Sequence, residues 1–181
     1  MTRKIMLLIV LLIAIIGVML YFLDESQKTN NSYHRLNELV LYVEFKQYIN
    51  NLYYISDTME LFDEDFTERE KELYRQSLNN THLNLNSLSL SLSLYYLSDN
   101  IYEEGYRYLG DTMRTVNTQL QKVKNIDDKQ KNQAIINVLE QYYAELVSFS
   151  YEEVTTEQGI DEITNILNQL REDVEMVLNE S

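Results

Sequence analysis

The stretch LNLNSLSLSLSLYYLSDN, Leu83 to Asn100, decides the fold. Strict Leu/Ser alternation is the period of a half-buried strand, whose side chains fall on opposite faces at every step. As a strand it needs a partner, and the one other candidate, LVLYVEF from Leu39 to Phe45, sits inside a long heptad seam. A lone strand leaves its backbone groups unpaired. As a helix, Leu78, Leu85 and Leu92 form one line at heptad spacing, Leu83, Leu90 and Leu97 a second, and Leu88 with Tyr95 a third. Leucine then points in nearly every direction. That predicts a central helix contacted on several sides, with serine as the small residue that lets neighbours come close. Its Ser and Asn content, and the acidic DNIYEEG that follows, argue against a second membrane span.

The flanks carry one rule. Leu41, Phe45, Tyr48, Leu52, Ile55, Met59 and Phe62 are spaced alternately by four and three residues, with Leu36, Leu39, Val40 and Val43 predicted to widen the buried stripe. Tyr102, Tyr106, Leu109, Met113, Val116, Leu120 and Val123 repeat the spacing. So do Ile135 to Phe149 and Ile160 to Val177. Proline is absent and glycine occurs four times, so little interrupts long helices. The fold class expected is all-α: an antiparallel heptad-patterned bundle of about five helices near residues 33–62, 67–98, 100–125, 128–152 and 156–179. Thr67 with Glu70 reads as a capping box after a DEDF turn. Asp127 or Asp128 starts the fourth helix, and Thr155 with Gln158 the last. Asn100 with Glu103 marks a tight turn at Ser98–Asn100, in preference to one continuous helix from Thr67 to Asn125.

At the front, Ile5 to Leu23 (IMLLIVLLIAIIGVMLYFL) is a run of 19 residues without a charge. As a helix it is roughly 28 Å long, close to the hydrocarbon thickness of a bilayer. Arg3 and Lys4 precede it and Asp24 and Glu25 follow, which places the N-terminus in the cytoplasm and the remainder outside. No convincing small-x-small cleavage site follows, so it reads as an uncleaved, single-pass signal anchor. The expected organisation is a cytoplasmic tip (1–4), a transmembrane anchor (5–23), a polar link (24–32) and an extracytoplasmic bundle (33–181).

A single domain with a real core fits the 181 residues. The formal charge of −14 makes nucleic acid an improbable partner. Without cysteine there is no disulfide, thiolate metal site or thiol nucleophile. The two histidines, His34 and His82, lack the helical spacing of metal ligands and are expected at the surface or an edge. The carboxylates of DEDFTE (Asp63 to Glu68) lack the glycine and terminal glutamate of an EF-hand and read as a turn plus a helix N-terminus. No phosphate loop or nucleophile motif is present, so no catalytic, cofactor-binding or metal residue is assigned. Tyrosine is enriched, with 15 residues, and the bundle topology gathers Tyr33, Tyr95, Tyr96, Tyr102, Tyr106 and Tyr151 at the membrane-proximal end as a candidate aromatic interface. The function expected is non-enzymatic: a membrane-anchored interaction or scaffold protein that contacts another membrane or envelope protein. The alternative is a ligand-sensing extracytoplasmic bundle that signals through a partner. Oligomeric state is not legible, because spare apolar faces can be covered within the chain or between chains.

Overall fold

The computed structural model describes residues 2–95 and 103–179, with side chains described except at 2–14, 34, 37, 94–95 and 103–104. The five long helices follow the apolar periods noted above, and no strand occurs among the described residues. The elements are α1 (Thr2–Glu60), α2 (Glu68–Tyr95), α3 (Glu103–Leu120), a 3-10 turn (Val123–Asn125), α4 (Lys129–Val147), the single turn α5 (Tyr151–Val154) and α6 (Glu157–Asn179). The chain divides into two compact units, Met1–Leu39 and Val40–Ser181.

Helix α1 runs unbroken through 24–32, the polar segment expected to link anchor and bundle. Its helicity there has a local cause. Neither proline nor glycine interrupts Asp24–Ser32, Lys28 Nζ meets Asp24 Oδ2 at 2.7 Å, and the hydroxyls of Thr29 and Ser32 donate to the carbonyls of Glu25 and Lys28. An i,i+4 ion pair adds only a few tenths of a kcal/mol, about 0.2–0.5, but nothing opposes the helix. Among the described residues no helix is long and apolar enough to cross a membrane. The side chains of residues 5–14, the first part of the expected anchor, lie outside the described residues.

In the second unit the heptad seams become the core. Leu41, Phe45, Tyr48, Leu52, Ile55, Met59 and Phe62 of α1 are all buried, as are Leu109, Met113, Val116 and Leu120 of α3, Ile135, Leu139, Tyr142 and Leu146 of α4, and Ile160, Ile163, Leu167, Leu170 and Val174 of α6. Burying each such aliphatic or aromatic side chain is worth roughly 1.5–3 kcal/mol. α2 runs antiparallel to α1, with Ser91 on Glu44 at one end and Tyr74 on Phe62 at the other. α4 does the same, its Val147 near Lys46 and its Asn132 at Met59. α3 lies between α2 and α6, and α6 between α3 and α4. Phe62, Phe66 and Tyr74 close one end with ring centroids 5.5–6.4 Å apart, and burial pushes the Tyr74 phenol up to about 12.

The Leu/Ser tract is helical as far as Tyr95, and its serines divide the work. Ser89 and Ser93 turn their hydroxyls back onto the carbonyls of Asn86 and Ser89, on the side where α3 brings Gly110 against them. A Cβ at Gly110 would fall on the Ser93 hydroxyl and 3.0 Å from the Ser93 nitrogen, so small residues on both helices permit this approach. Ser91 faces α1 instead, donating to Glu44 Oε1 at 2.6 Å. The expectation of a central helix is corrected: Leu78, Leu85 and Leu92 are buried, but Leu83 (58 %) and Leu90 (52 %) face solvent. Leu36 (55 %), Leu39 (49 %) and Val43 are exposed too and do not widen the α1 stripe. At each of these positions the apolar side chain stays exposed among the described residues.

Three boundaries move. The turn expected at Ser98–Asn100 lies outside the described residues, yet His82 opposite Asn117 and Ser93 opposite Gly110 show α2 and α3 packed antiparallel, which removes the continuous-helix alternative. α3 ends at Leu120, and the 3-10 turn carries the chain to Asn125. α4 starts where expected, the Asp128 carboxylate accepting from the Lys131 N–H, but stops at Val147 rather than 152. There the Ser148 hydroxyl donates to the Glu145 carbonyl, and Ser150 forms a capping box with Glu153 that starts α5. Serine competes with the helix for its own backbone, which heptad spacing does not register. For α6 the cap is Thr156, whose hydroxyl accepts from the Gly159 N–H; the Thr155 hydroxyl is spent on Tyr151. The Thr67–Glu70 box forms as read, and its hydrogen bonds hold the Glu70 carboxyl below its ordinary value.

Candidate functional site

Three features of the second unit carry polar chemistry: a buried seam between α2 and α3, and two open clefts. The seam centres on His82, which the sequence placed at a surface or edge and which is 1 % exposed. Its ring fills a heptad position one turn from Leu78 and Leu85, so the packing treats it as a core residue. Asn117 of α3, fully buried, holds it: its Oδ1 lies 3.1 Å from His82 Nδ1, and its Nδ2 donates to the His82 carbonyl at 3.3 Å and to Asn86 Oδ1. With Nδ2 committed to two oxygens, Oδ1 must accept, which places the imidazole proton on Nδ1. His82 Nε2 is buried with no partner. Burial, and to a smaller extent the charge of Lys124, push the imidazole below its ordinary 6.5, against the hydrogen bond to Asn117.

That direction fixes a pH response. A group whose folded pKa is depressed takes up its proton more readily in the unfolded chain, so the seam's full contribution is present above pH 6.5 and is lost as pH falls below it. The expected result is that the Tm difference between wild type and His82→Leu narrows between pH 7.5 and pH 5, read by circular dichroism. A constant difference would show that His82 does not titrate with folding. Glu44 acts in the opposite sense in a lower window: burial raises its pKa, against the Ser91 hydrogen bond, so its contribution is complete below 4.5 and fades as pH rises through the raised value.

The first cleft, about 410 Å³, lies between α1 and α2 and is lined by Gln47, Asn50, Asn51, Tyr54, Asn84, Ser87 and Leu88. The second, about 370 Å³, lies between α3 and α6, with Tyr108, Thr115 and two arginines on its walls. Both arginines are engaged by acids of their own helices, Arg114 with Asp111 at 3.0 Å and Arg171 with Glu172 at 3.2 Å.

Of the six tyrosines of the candidate interface, Tyr33, Tyr106 and Tyr151 have described side chains. Tyr33 belongs to the first unit and is exposed. The side chains of Tyr95, Tyr96 and Tyr102 lie outside the described residues. Tyr106 packs on the core, and Tyr151 meets Tyr42 edge-on at 5.6 Å. Tyr151 and Tyr42 stand at the end of the second unit where α1 enters it, with Lys46 Nζ 5.4 Å from the Tyr42 ring and donating to the Val147 carbonyl. Tyr142 is structural, its hydroxyl 2.6 Å from Asp173 Oδ2. Tyr54 at the α1–α2 cleft was not singled out in the sequence, although its position two residues past a core leucine on a helix with a 4–3 repeat marks it as outward-facing.

The DEDFTE carboxylates serve as turn and cap. Asp63 Oδ1 accepts from the Asp65 N–H, and Glu64 Oε1 from the Lys129 N–H at the start of α4. Among the described residues no three His, Asp or Glu side chains converge as they would around a metal ion. Comparisons with family models, with curated proteins and with solved structures find no match to this chain.

Proposed function

We propose that this chain is a non-enzymatic, membrane-anchored interaction protein. In this reading Ile5–Leu23 is the anchor, the N-terminus is cytoplasmic, and the bundle stands on the outer face, where α1 contacts another membrane or envelope protein. The observation that carries the proposal is apolar surface on α1 that the chain leaves bare. Ile15 to Leu23 are about half to two thirds exposed apart from the small Gly17, and beyond the uncharged run Tyr33, Leu36 and Leu39 are exposed as well. A protein in water does not maintain such a stretch without cover. Lipid suits the first part. A helix of a partner suits Leu36 and Leu39, which stand one turn apart on one face.

The test uses intact cells. Protease added outside is expected to remove a C-terminal epitope tag, and a photo-crosslinking residue at Leu36 or Leu39 is expected to give one discrete adduct in membranes, with none from the exposed polar position Glu162. A tag protected in intact cells and cleaved after lysis would place the bundle in the cytosol and end the proposal. A second reading, a ligand-sensing bundle that signals through a partner, draws on the cleft between α1 and α2. It predicts a rise in melting temperature with a small ligand, by mass action.

A further inference from the structure

The cleft between α1 and α2 is chemically uniform in a way that the rest of this acidic surface is not. Amide side chains line it from both helices, Gln47, Asn50 and Asn51 from α1 and Asn84 from α2, together with the Ser87 hydroxyl and the Tyr54 ring. No charged residue is among its lining residues, in a chain of net charge −14. The polar groups are also unspent. Among the described residues, the side chains of Gln47, Asn50, Asn84 and Ser87 make no hydrogen bond within the chain, and Asn51 uses only Nδ2, on the Gln47 carbonyl. Ser87 contrasts with Ser89, Ser93 and Thr81 of the same helix, whose hydroxyls all bond to their own backbone. Tyr54 is 56 % exposed, so its ring is open to a ligand.

We propose that this cleft binds a neutral, hydroxyl-rich glycan segment. Amides supply donors and acceptors side by side, the complement of vicinal hydroxyls and of an acetamido group. An exposed aromatic ring offers the flat apolar platform that the C–H face of a pyranose needs. The lack of charge leaves no charge-assisted hydrogen bond for a phosphate, carboxylate or ammonium group. A volume of about 410 Å³ lies within the range of small-ligand sites, roughly 300–1,000 Å³, and the cleft is open to solvent rather than enclosed. The inference stands apart from the membrane reading, since the cleft lies within the second unit and needs no anchor.

Full-length protein in a detergent without a sugar headgroup is titrated calorimetrically with chitotriose, cellotriose and, as the charged counterpart, trigalacturonate. It is also incubated with insoluble chitin. Saturable binding of a neutral trimer is expected, weakened about tenfold or more by Tyr54→Ala and by Asn84→Ala, both at exposed positions where helicity is retained, and trigalacturonate is expected to bind more weakly. Binding to trimers assigns a soluble sugar as ligand; retention on the polymer alone, lost in the two variants, assigns a glycan strand. Three results overturn the proposal: no binding to trimer or polymer, binding unchanged in both variants, or trigalacturonate binding as tightly as the neutral trimers.

Discussion

Gly159→Ala is expected to destabilise the protein by about 3 kcal/mol, the scale of a forced backbone shift in a packed site. Its sign makes it informative. Gly159 lies in the first turn of α6, and alanine in a helix is ordinarily favoured over glycine by about 1 kcal/mol. Here an added Cβ would fall on the Glu153 carbonyl oxygen and 2.6 Å from its carbonyl carbon, with Thr156 Oγ1 at 3.1 Å. The two Glu153 atoms are backbone atoms of α5, and α5 cannot retreat: the Ser150–Glu153 box fixes its start and its Val154 is buried. Urea unfolding should show a lower midpoint at unchanged slope, and the melting temperature should fall by about 6–12 °C. Gly105→Ala is the control, because a Cβ there meets only Ile160 Cγ2 at 3.6 Å, an ordinary contact. It should be neutral or slightly stabilising. Gly159→Ala at or above wild-type stability would mean that the corner from α5 to α6 is not closed as described.

Asn117→Leu keeps the branched side-chain skeleton and removes every polar contact of the seam, and a loss of about 3–4 kcal/mol is expected. The imidazole Nδ1–H of His82 would be left buried without an acceptor and Asn86 Oδ1 without its donor, at roughly 1–3 kcal/mol for each buried unsatisfied group. The double variant His82→Leu/Asn117→Leu should recover part of that loss, because replacing both partners by apolar groups leaves nothing stranded. A double-mutant cycle by urea unfolding should therefore give a coupling of about 1 kcal/mol or more. Strict additivity would show that the two side chains do not act as a pair.

What was legible in the sequence was whatever depends on residues near one another in the chain. The 4–3 repeats located the buried seams of α1, α3, α4 and α6 because a helix turns by a constant angle per residue, so spacing alone states which side chains share a face. The Thr67–Glu70 box and the Asp128 cap were readable for the same reason, since donor and acceptor are three residues apart. The Leu/Ser tract showed the limit of this logic. Its period was settled by finding no partner strand, but its leucine lines could not reveal which of them had a neighbour.

That part was decided in three dimensions. Leu78 and Leu83 are alike to any pattern, yet one is buried and the other open, because only one faces another helix. His82 looked like a surface residue until α3 brought Asn117 against it, 35 positions along the chain. The α1–α2 cleft unites Asn50 and Asn84 only because two antiparallel helices meet at that height. Periodicity is a property of one helix and burial is a property of pairs. The chain therefore declared its helices and their apolar faces by itself, while packing alone chose which faces to cover and which polar groups to bring together.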